Sequence, residues 1–409
     1  MIAAFWRRLS LSTDPILFLV TITATILGVF AIWDAGYAQS IVRNKGEIPR
    51  EFYVQLLATA VSLVAGAFAA VLPISAWKKL ARPFLLVSIG LLLFLLIPGV
   101  ATTRGGATSW ISFGSVDFQP SEFAKIAVIL YLAAVFSVRK PFVQPKVRHW
   151  ADWIDRVVFP KLVRAWPLFV VLFIVLKIER EPDLGGAAII LSTALLMMWM
   201  GGVSAKSMAL LAVTGLVGVT TLAKLEPYRM ERITSHGARW ESGVASDQGY
   251  QSTWAELGMA DGGLTGVGLG NGRAKHYLPA ATTDYIMATV AEEFGLIGAL
   301  VAVGLVALVV WRLIALSRYT QDPFARYVLL GVASWLTVQC TVNVMVANGT
   351  LPPIGIPFPF FSSGGSSLLI LWLALGICQS AAMELPAKET AVEGRRYGWR
   401  HRRSRLSGA

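Results

Sequence analysis

Charged side chains are scarce in this 409-residue chain, where they make up 15% of the residues. A typical soluble domain is about a quarter charged, so the composition excludes an ordinary soluble protein. Cysteine and histidine are also rare, with two and four copies. Both cysteines lie within long apolar stretches, which excludes a disulfide framework, and the histidines lack the spacing of zinc ligands. We therefore predict no resident metal site.

Hydrophobic residues make up 55% of the chain and collect in ten stretches that approach the about 20 residues needed to span a membrane. Only helices and closed barrels satisfy their backbone groups in lipid, and these stretches are too long and too apolar for barrel strands. We predict an all-α integral membrane protein with about ten transmembrane helices, forming a single polytopic domain over residues 1–409. The predicted spans are 16–34, 53–74, 83–101, 120–138, 166–179, 184–202, 207–224, 286–310, 326–347 and 366–383.

Basic residues set the predicted orientation. If the N-terminus is cytoplasmic, the inner segments hold roughly twice as many lysines and arginines as the outer ones, as the positive-inside rule requires. The prediction is N-in and C-in, with a large extracytoplasmic loop between helices 7 and 8 and no cleaved signal peptide. A basic amphipathic loop, 139–165, and a basic tail, 384–409, are then cytoplasmic. The net charge of +12 suits anionic lipid, and nucleic acid is not needed to explain it.

Three segments predicted to lie outside are long and irregular: 102–121, 225–284 and 348–366. Long connections without regular structure are uncommon unless they are functional or disordered. Their aromatic and apolar content favours ordered segments that fold back over the helices. We expect the working surface of the protein on this side.

Two motifs place charge at or inside predicted spans. In QPSEFAK, Glu122 and Lys125 are three residues apart on one helical face and close enough to pair. They form either a structural ion pair or part of a polar cavity wall. In EPDLGG, Asp183 directly precedes a span, where a helix N-cap explains a carboxylate.

The loop 225–284 combines arginine and lysine with the glycine-rich stretch DGGLTGVGLGNG. Glycines let backbone N–H groups approach an anion, and arginine binds phosphate through two donors. A flexible loop is the alternative interpretation. The candidate anion ligands here are Arg229, Arg232, Arg273 and Lys275.

Three acids follow this loop in HYLPAATTDYIMATVAEEFGLIGAL. Asp284 lies at the predicted water–lipid boundary, either as an N-cap or as a general base for a hydroxyl proton. Glu292 and Glu293 lie deeper, where we expect bonds to neighbouring helices or cavity residues. A helix would place them about 12–13 Å along its axis from Asp284, too far for the carboxylate pair of a retaining glycosidase.

With these residues in view, the chain resembles the SEDS family of cell-wall polymerases, the group that contains FtsW and RodA. The motifs are WISFG…FQPSEFAK, EPDLGG, PYRMERI…GYQS, GGLTGVGLGNG, YLPAATTDYIMATVAEEFGLIG and LPPIGIPFPFFSSGGSSLL. The YR-x-x-R and GLGN motifs slightly favour the division-type branch, FtsW. The chain departs from the common LPE-x-HTDF pattern at Ala280, Thr282 and Tyr285, and from SYGGSS at Ser363.

The resemblance implies a peptidoglycan glycosyltransferase that polymerises lipid II into β-1,4 strands, for cell division or elongation. It implies a multi-pass protein of the bacterial cytoplasmic membrane with an extracytoplasmic site, and a class B penicillin-binding protein as partner. Asp284 matches the family's essential aspartate and would be the base of an inverting displacement, with undecaprenyl diphosphate as leaving group. A divalent cation, Mg²⁺ or Mn²⁺, could help with the diphosphate. The other candidate substrate or cavity residues are Arg104, Trp110, Glu122, Lys125, Asp183, Arg229, Arg232, Arg273, Lys275, Glu292, Ser362 and Ser366.

Two rival functions remain open at this point. A flippase for the same precursor would also use charged residues inside the spans, but transporters often show inverted repeats, and none is visible here. A non-catalytic scaffold of a synthase complex would tolerate loss of Asp284.

Overall fold

The computed structural model describes residues 13–44, 48–104, 107–113, 116–138, 159–179, 183–203, 213, 227–247 and 249–383. These residues form thirteen helices and three short strands. The helices α1 to α13 are, in chain order, Pro15–Asn44, Arg50–Val71, Ile74–Phe94, Pro120–Ser137, Phe159–Glu179, Leu184–Met200, Pro227–Gly237, Ser242–Ala245, Tyr250–Gly262, Ala274–Tyr277, Ile286–Tyr319, Pro323–Ala347 and Gly365–Met383. The strands β1 to β3 are Ala101–Arg104, Ala107–Phe113 and Val116–Phe118.

The long helices confirm a mostly helical, multi-pass membrane protein. Six of the described helices are long and apolar enough to cross a membrane: α1, α2, α4, α11, α12 and α13. Helices α3, α5 and α6 overlap three more of the predicted spans, although α3 begins and ends earlier than the predicted 83–101. Apart from Val213, the seventh predicted span, 207–224, lies outside the described residues, as do the basic tail 384–409 and most of the basic loop 139–165. The total of about ten spans and the N-in, C-in orientation stay predictions.

The helices form an inner and an outer layer. In α4 and α13, 78% of the apolar window is buried, whereas in α2 and α11 only 28% is buried. The first two therefore lie at the centre, and the second two keep a broad face free for lipid. Helix α13 packs against α2 where Gly66 meets Gly376, and a Cβ on Gly376 would lie 2.2 Å from the Gly66 carbonyl oxygen. Small residues allow this close approach of membrane helices.

Two of the three segments predicted as irregular, 102–121 and 225–284, contain regular structure, whereas 348–366 is irregular until the last helix begins at Gly365. Residues 102–121 include most of an antiparallel sheet with the order β1-β2-β3, a local exception to the all-α prediction. The β-branched and aromatic residues of ATSWISF and VDF favour strands. Residues 225–284 contain α7 to α10, and α9 packs along α11. Ordered structure on this side agrees with segments that fold back over the helices.

Candidate functional site

Asp284 lies in a turn between α10 and α11, and its side chain is half-buried. The sequence left open whether this residue caps the helix. Helix α11 begins at Ile286, and its N-cap position is Tyr285, whose side chain makes no capping hydrogen bond. Asp284 therefore lies one residue before the N-cap position and does not occupy it.

The Asp284 turn is held by hydrogen bonds from two other parts of the chain. The Ser362 hydroxyl donates to the Thr283 carbonyl oxygen at 2.6 Å. The side-chain amide of Asn343, on α12, donates to the Asp284 carbonyl oxygen at 2.9 Å and to the Ile356 carbonyl oxygen at 2.6 Å. These bonds fix the backbone on which the Asp284 side chain stands.

The proline-rich segment 351–358 passes beside Asp284 at a glycine. Gly355 is exposed and has φ of 71°, a left-handed conformation that favours glycine. A Cβ built on Gly355 would lie 4.0 Å from Oδ2 of Asp284. The glycine therefore leaves open a space that a side chain would fill next to the carboxylate.

The predicted pair of Glu122 and Lys125 is confirmed, with 2.6 Å between Lys125 Nζ and Glu122 Oε1. Both side chains are buried, and Oε2 of Glu122 has no hydrogen-bond partner among the described residues. The Gln339 side-chain oxygen accepts from Lys125 at 3.3 Å and from the Trp335 indole at 2.6 Å. The Gln339 amide donates to the Pro357 carbonyl oxygen at 2.9 Å. The ion pair is thus joined to α12 and to the proline-rich segment.

Asp183 is an N-cap, as its sequence position predicts. Its carboxylate accepts from the Gly186 N–H at 2.8 Å at the start of α6. It also accepts from the Ser121 hydroxyl at 2.6 Å and from the Gln119 amide at 3.0 Å. Asp183 therefore joins the first turns of α4 and α6, and its oxygens are already bonded.

The sheet is attached to the central helices through Ser366. The Ser366 hydroxyl donates to the Asp117 carbonyl oxygen at 3.0 Å and accepts from the Gln119 N–H at 3.2 Å. Trp110 is half-buried on β2, and its carbonyl oxygen accepts from the Thr102 hydroxyl at 3.2 Å. These contacts give Ser366 a structural role and leave the indole of Trp110 partly accessible.

The glycine-rich stretch already binds anions, but they are carboxylates of this chain. Glu292 accepts from the N–H of Arg273 at 2.7 Å and from that of Ala274 at 3.0 Å. Glu293 accepts from the Gly272 N–H at 3.1 Å. The expectation that these amides cradle a phosphate is therefore corrected, because Glu292 and Glu293 occupy them.

Lys275, predicted as a diphosphate ligand, is buried and ion-paired. Its side chain is 3% exposed, and Nζ lies 2.6 Å from Glu293 Oε1 and 2.9 Å from Asp34 Oδ1. This geometry removes Lys275 from the anion ligands that a substrate can reach. Arg273 is exposed and lines a half-open cavity of about 450 Å³ with Asp261, Val267, Asn271 and Glu292.

Three further candidates are arginines whose side chains lie outside the described residues: Arg104, Arg229 and Arg232. Arg104 ends β1, and the other two belong to α7, so only their backbone positions are known. In the described part of the chain, no three His, Cys, Asp or Glu side chains converge as metal ligands.

The structure also shows polar residues that sequence reasoning missed: Asp34, Gln339 and Asn343. Each lies inside a long apolar helix, where a polar side chain is costly unless it has partners. This position in the sequence is the signal that could have identified them. Gln339 and Asn343 are four residues apart on one face of α12. Through Pro357 and Ile356 they connect the buried ion pair to the Asp284 turn by hydrogen bonds and adjoining peptide units.

Comparison with known proteins identifies relatives along most of the chain. The family model for the FtsW/RodA/SpoVE cell cycle proteins matches residues 14–386. A probable peptidoglycan glycosyltransferase FtsW from Saccharophagus degradans is 36% identical over 320 residues, covering 77% of this chain and 79% of the relative. Stage V sporulation protein E from Bacillus subtilis is 32% identical over 369 residues, covering 89% of this chain and 96% of the relative.

Solved structures show the same fold. A chain of a peptidoglycan synthase complex, studied for its coordination of polymerization and crosslinking, aligns with a TM-score of 0.71 and 26% identity, covering 91% of this chain and 98% of that chain. The rod shape determining protein RodA of Thermus thermophilus aligns with a TM-score of 0.63 and 25% identity, covering 92% and 98%.

Proposed function

The chain belongs to the FtsW/RodA/SpoVE family, and from this membership we propose how it acts as a peptidoglycan glycosyltransferase. It polymerises lipid II into β-1,4 glycan strands at the outer face of the bacterial cytoplasmic membrane, in cell division or elongation. The relatives named as glycosyltransferases support the reaction class. The position of Asp284 supports the mechanism.

The observation that carries the mechanism is the half-buried carboxylate of Asp284, which stands on a hydrogen-bonded turn beside the space left by Gly355. A carboxylate held by its surroundings can accept a proton from a hydroxyl brought within hydrogen-bond distance. In the proposed step, the sugar 4-hydroxyl gives its proton to Asp284 while its oxygen attacks the anomeric carbon of the second sugar. The bond to undecaprenyl diphosphate breaks, and the leaving group takes the bonding electrons. One displacement inverts the α-linked donor to the β-linked product.

The leaving diphosphate needs positive charge nearby. Arg273 is the described candidate, because it is exposed at the half-open cavity. Arg104, Arg229 and Arg232 stay candidates from sequence. We propose that a divalent cation, Mg²⁺ or Mn²⁺, would supply part of the charge for the leaving diphosphate, although no three His, Cys, Asp or Glu side chains of the described residues converge to hold it. Loss of polymerisation on adding EDTA, restored by Mg²⁺ or Mn²⁺, is the expected result, and full activity in EDTA would contradict it.

The test is polymerisation of labelled lipid II by the purified protein, with and without a class B penicillin-binding protein. Asp284→Asn preserves shape and removes the proton acceptor, so we expect no long glycan product. Asp247→Asn, at an exposed aspartate of the segment 225–284, is the matched control and should polymerise like wild type. Wild-type polymerisation by both variants would overturn Asp284 as the base. If wild type also forms no product with its partner, the flippase or scaffold function is favoured instead.

The partner is proposed to be a class B penicillin-binding protein, which crosslinks the new strand. Structural likeness to a subunit of a peptidoglycan synthase complex supports an assembly of this kind. Co-purification with the class B proteins of the same cell is the check. Failure with every one of them would contradict the proposal.

A further inference from the structure

Helix α11 is broken at Gly295, which has φ of 66° and ψ of −167°. In an unbroken helix, the N–H groups of Leu296 and Ile297 would bond to the carbonyl oxygens of Glu292 and Glu293, four residues earlier. The break at Gly295 separates these groups. Two donors and two acceptors of the helix backbone then need other partners.

The glycine-rich stretch supplies all four partners. It enters the break so closely that a Cβ on Gly295 would lie 2.3 Å from the Leu264 carbonyl oxygen. The four replacement bonds are Leu296 N–H to Gly263 O (2.9 Å), Ile297 N–H to Leu264 O (3.2 Å), Val267 N–H to Glu292 O (2.9 Å) and Gly268 N–H to Glu293 O (3.1 Å).

The break lies below the surface end of the helix. Gly295 is nine residues from Ile286, which corresponds to about 13–14 Å along the axis. The residues that follow it are almost all apolar up to Trp311. Non-helical backbone is tolerated at membrane depth only where its polar groups have partners. The bonds in the break supply partners for the N–H groups of Val267, Gly268, Leu296 and Ile297, and a turn within the stretch bonds the Gly266 N–H to the Gly262 carbonyl oxygen.

Apolar side chains on the inserted stretch are exposed. Leu264 is 69% exposed and Leu269 is 49% exposed. They are carried by backbone that is bonded to α11, whose adjoining Leu296, Ile297 and Leu300 are also exposed. The stretch therefore continues the lipid-facing surface of α11. Thr265, between Leu264 and Leu269, is also exposed, and Val267 lines the half-open cavity together with Asp261 and Asn271.

We propose that residues 263–269 are a re-entrant tip that inserts into the membrane and contacts lipid acyl chains beside α11. The large loop 225–284 is then not wholly extracytoplasmic, since one part of it returns into the bilayer. The tip ties the chain that leads to Asp284 to the plane of the membrane. The proposal concerns membrane contact and stands whether or not Asp284 is the catalytic base.

The test measures depth with a fluorophore attached to single added cysteines. Leu264→Cys and Leu269→Cys are labelled with NBD in the full-length chain, reconstituted in phosphatidylcholine vesicles with or without brominated acyl chains. Leu300→Cys, on the exposed face of α11, is the positive control, and Asn271→Cys is the matched control on the same stretch. Cys340 and Cys378 are buried, and the unsubstituted chain gives the labelling background.

We expect brominated lipid to quench the labels at positions 264 and 269 to an extent comparable with that at position 300. The label at position 271 should instead be quenched by aqueous iodide. Iodide quenching at 264 and 269 equal to that at 271, without quenching by brominated lipid, would overturn the proposal. The exposed leucines would then be candidates for contact with a protein partner.

Discussion

Replacing Lys275 with methionine tests whether this side chain is a buried structural cation. The change removes the ammonium group that bonds to Asp34 and Glu293, whose side chains are 7% and 0% exposed. Removing one partner of a buried ion pair costs about 3–5 kcal/mol, because a charge remains buried without compensation. Here two carboxylates lose their partner, so we expect the upper part of this range. Methionine keeps an unbranched side chain of similar length, which limits the loss of packing.

The assay is the free energy of unfolding in detergent, measured by titration with a denaturing surfactant. Lys79→Met, at an exposed lysine, is the control and should change this free energy by no more than about 0.5 kcal/mol. Adding Asp34→Asn to Lys275→Met removes one unpaired carboxylate. We therefore expect the second change to restore part of the loss, with a coupling energy of about 0.5–3 kcal/mol between the two sites.

A substrate contact by Lys275 predicts a different result. If Lys275 contacts the diphosphate of the substrate, its replacement should raise the KM for lipid II and leave the unfolding free energy nearly unchanged. A loss of less than about 1 kcal/mol, the range of exposed ion pairs, together with a raised KM, would refute the buried-cluster argument and return Lys275 to the substrate ligands.

Three further changes test the geometry elsewhere. Gly295→Ala should lower the unfolding free energy by at least about 2 kcal/mol, because its Cβ meets Leu264 and its φ is positive. Gly304→Ala, with open space around it, should be neutral or stabilising by up to about 1 kcal/mol. Equal effects of the two changes would contradict the inserted loop. Gly355→Val should lower the rate of glycan polymerisation by more than its backbone strain of about 1–2 kcal/mol at positive φ can explain. Gly364→Ala should leave the rate unchanged. Wild-type turnover in Gly355→Val would contradict an open space beside Asp284. Gln339→Leu should cost about 1–3 kcal/mol in unfolding free energy, since it leaves buried polar groups unbonded, and no loss would contradict the network.

Local signals in the sequence predicted the parts of the site that depend on local geometry. The pairing of Glu122 with Lys125 follows from three-residue spacing on a helix, and the N-cap at Asp183 follows from its place before an apolar run. Contacts across the fold were not predictable in this way. Lys275 and Asp34 are 241 positions apart, and no local pattern states that α1 passes the short helix α10. The same limit explains why a glycine-rich stretch was interpreted as a phosphate cradle.

The order of the hydrogen bonds around α12 indicates how the buried ion pair can affect chemistry that it does not touch. Gln339 and Asn343 are one helical turn apart, about 6 Å along the axis, and they bond to the consecutive carbonyls of Pro357 and Ile356. Because the same Asn343 amide holds the Asp284 carbonyl, a shift of the proline-rich segment moves both ends together. A substitution at the ion pair should therefore shift the position of Asp284. Its expected signature is a fall in turnover with substrate binding preserved, since the residues proposed to bind the diphosphate lie on other segments.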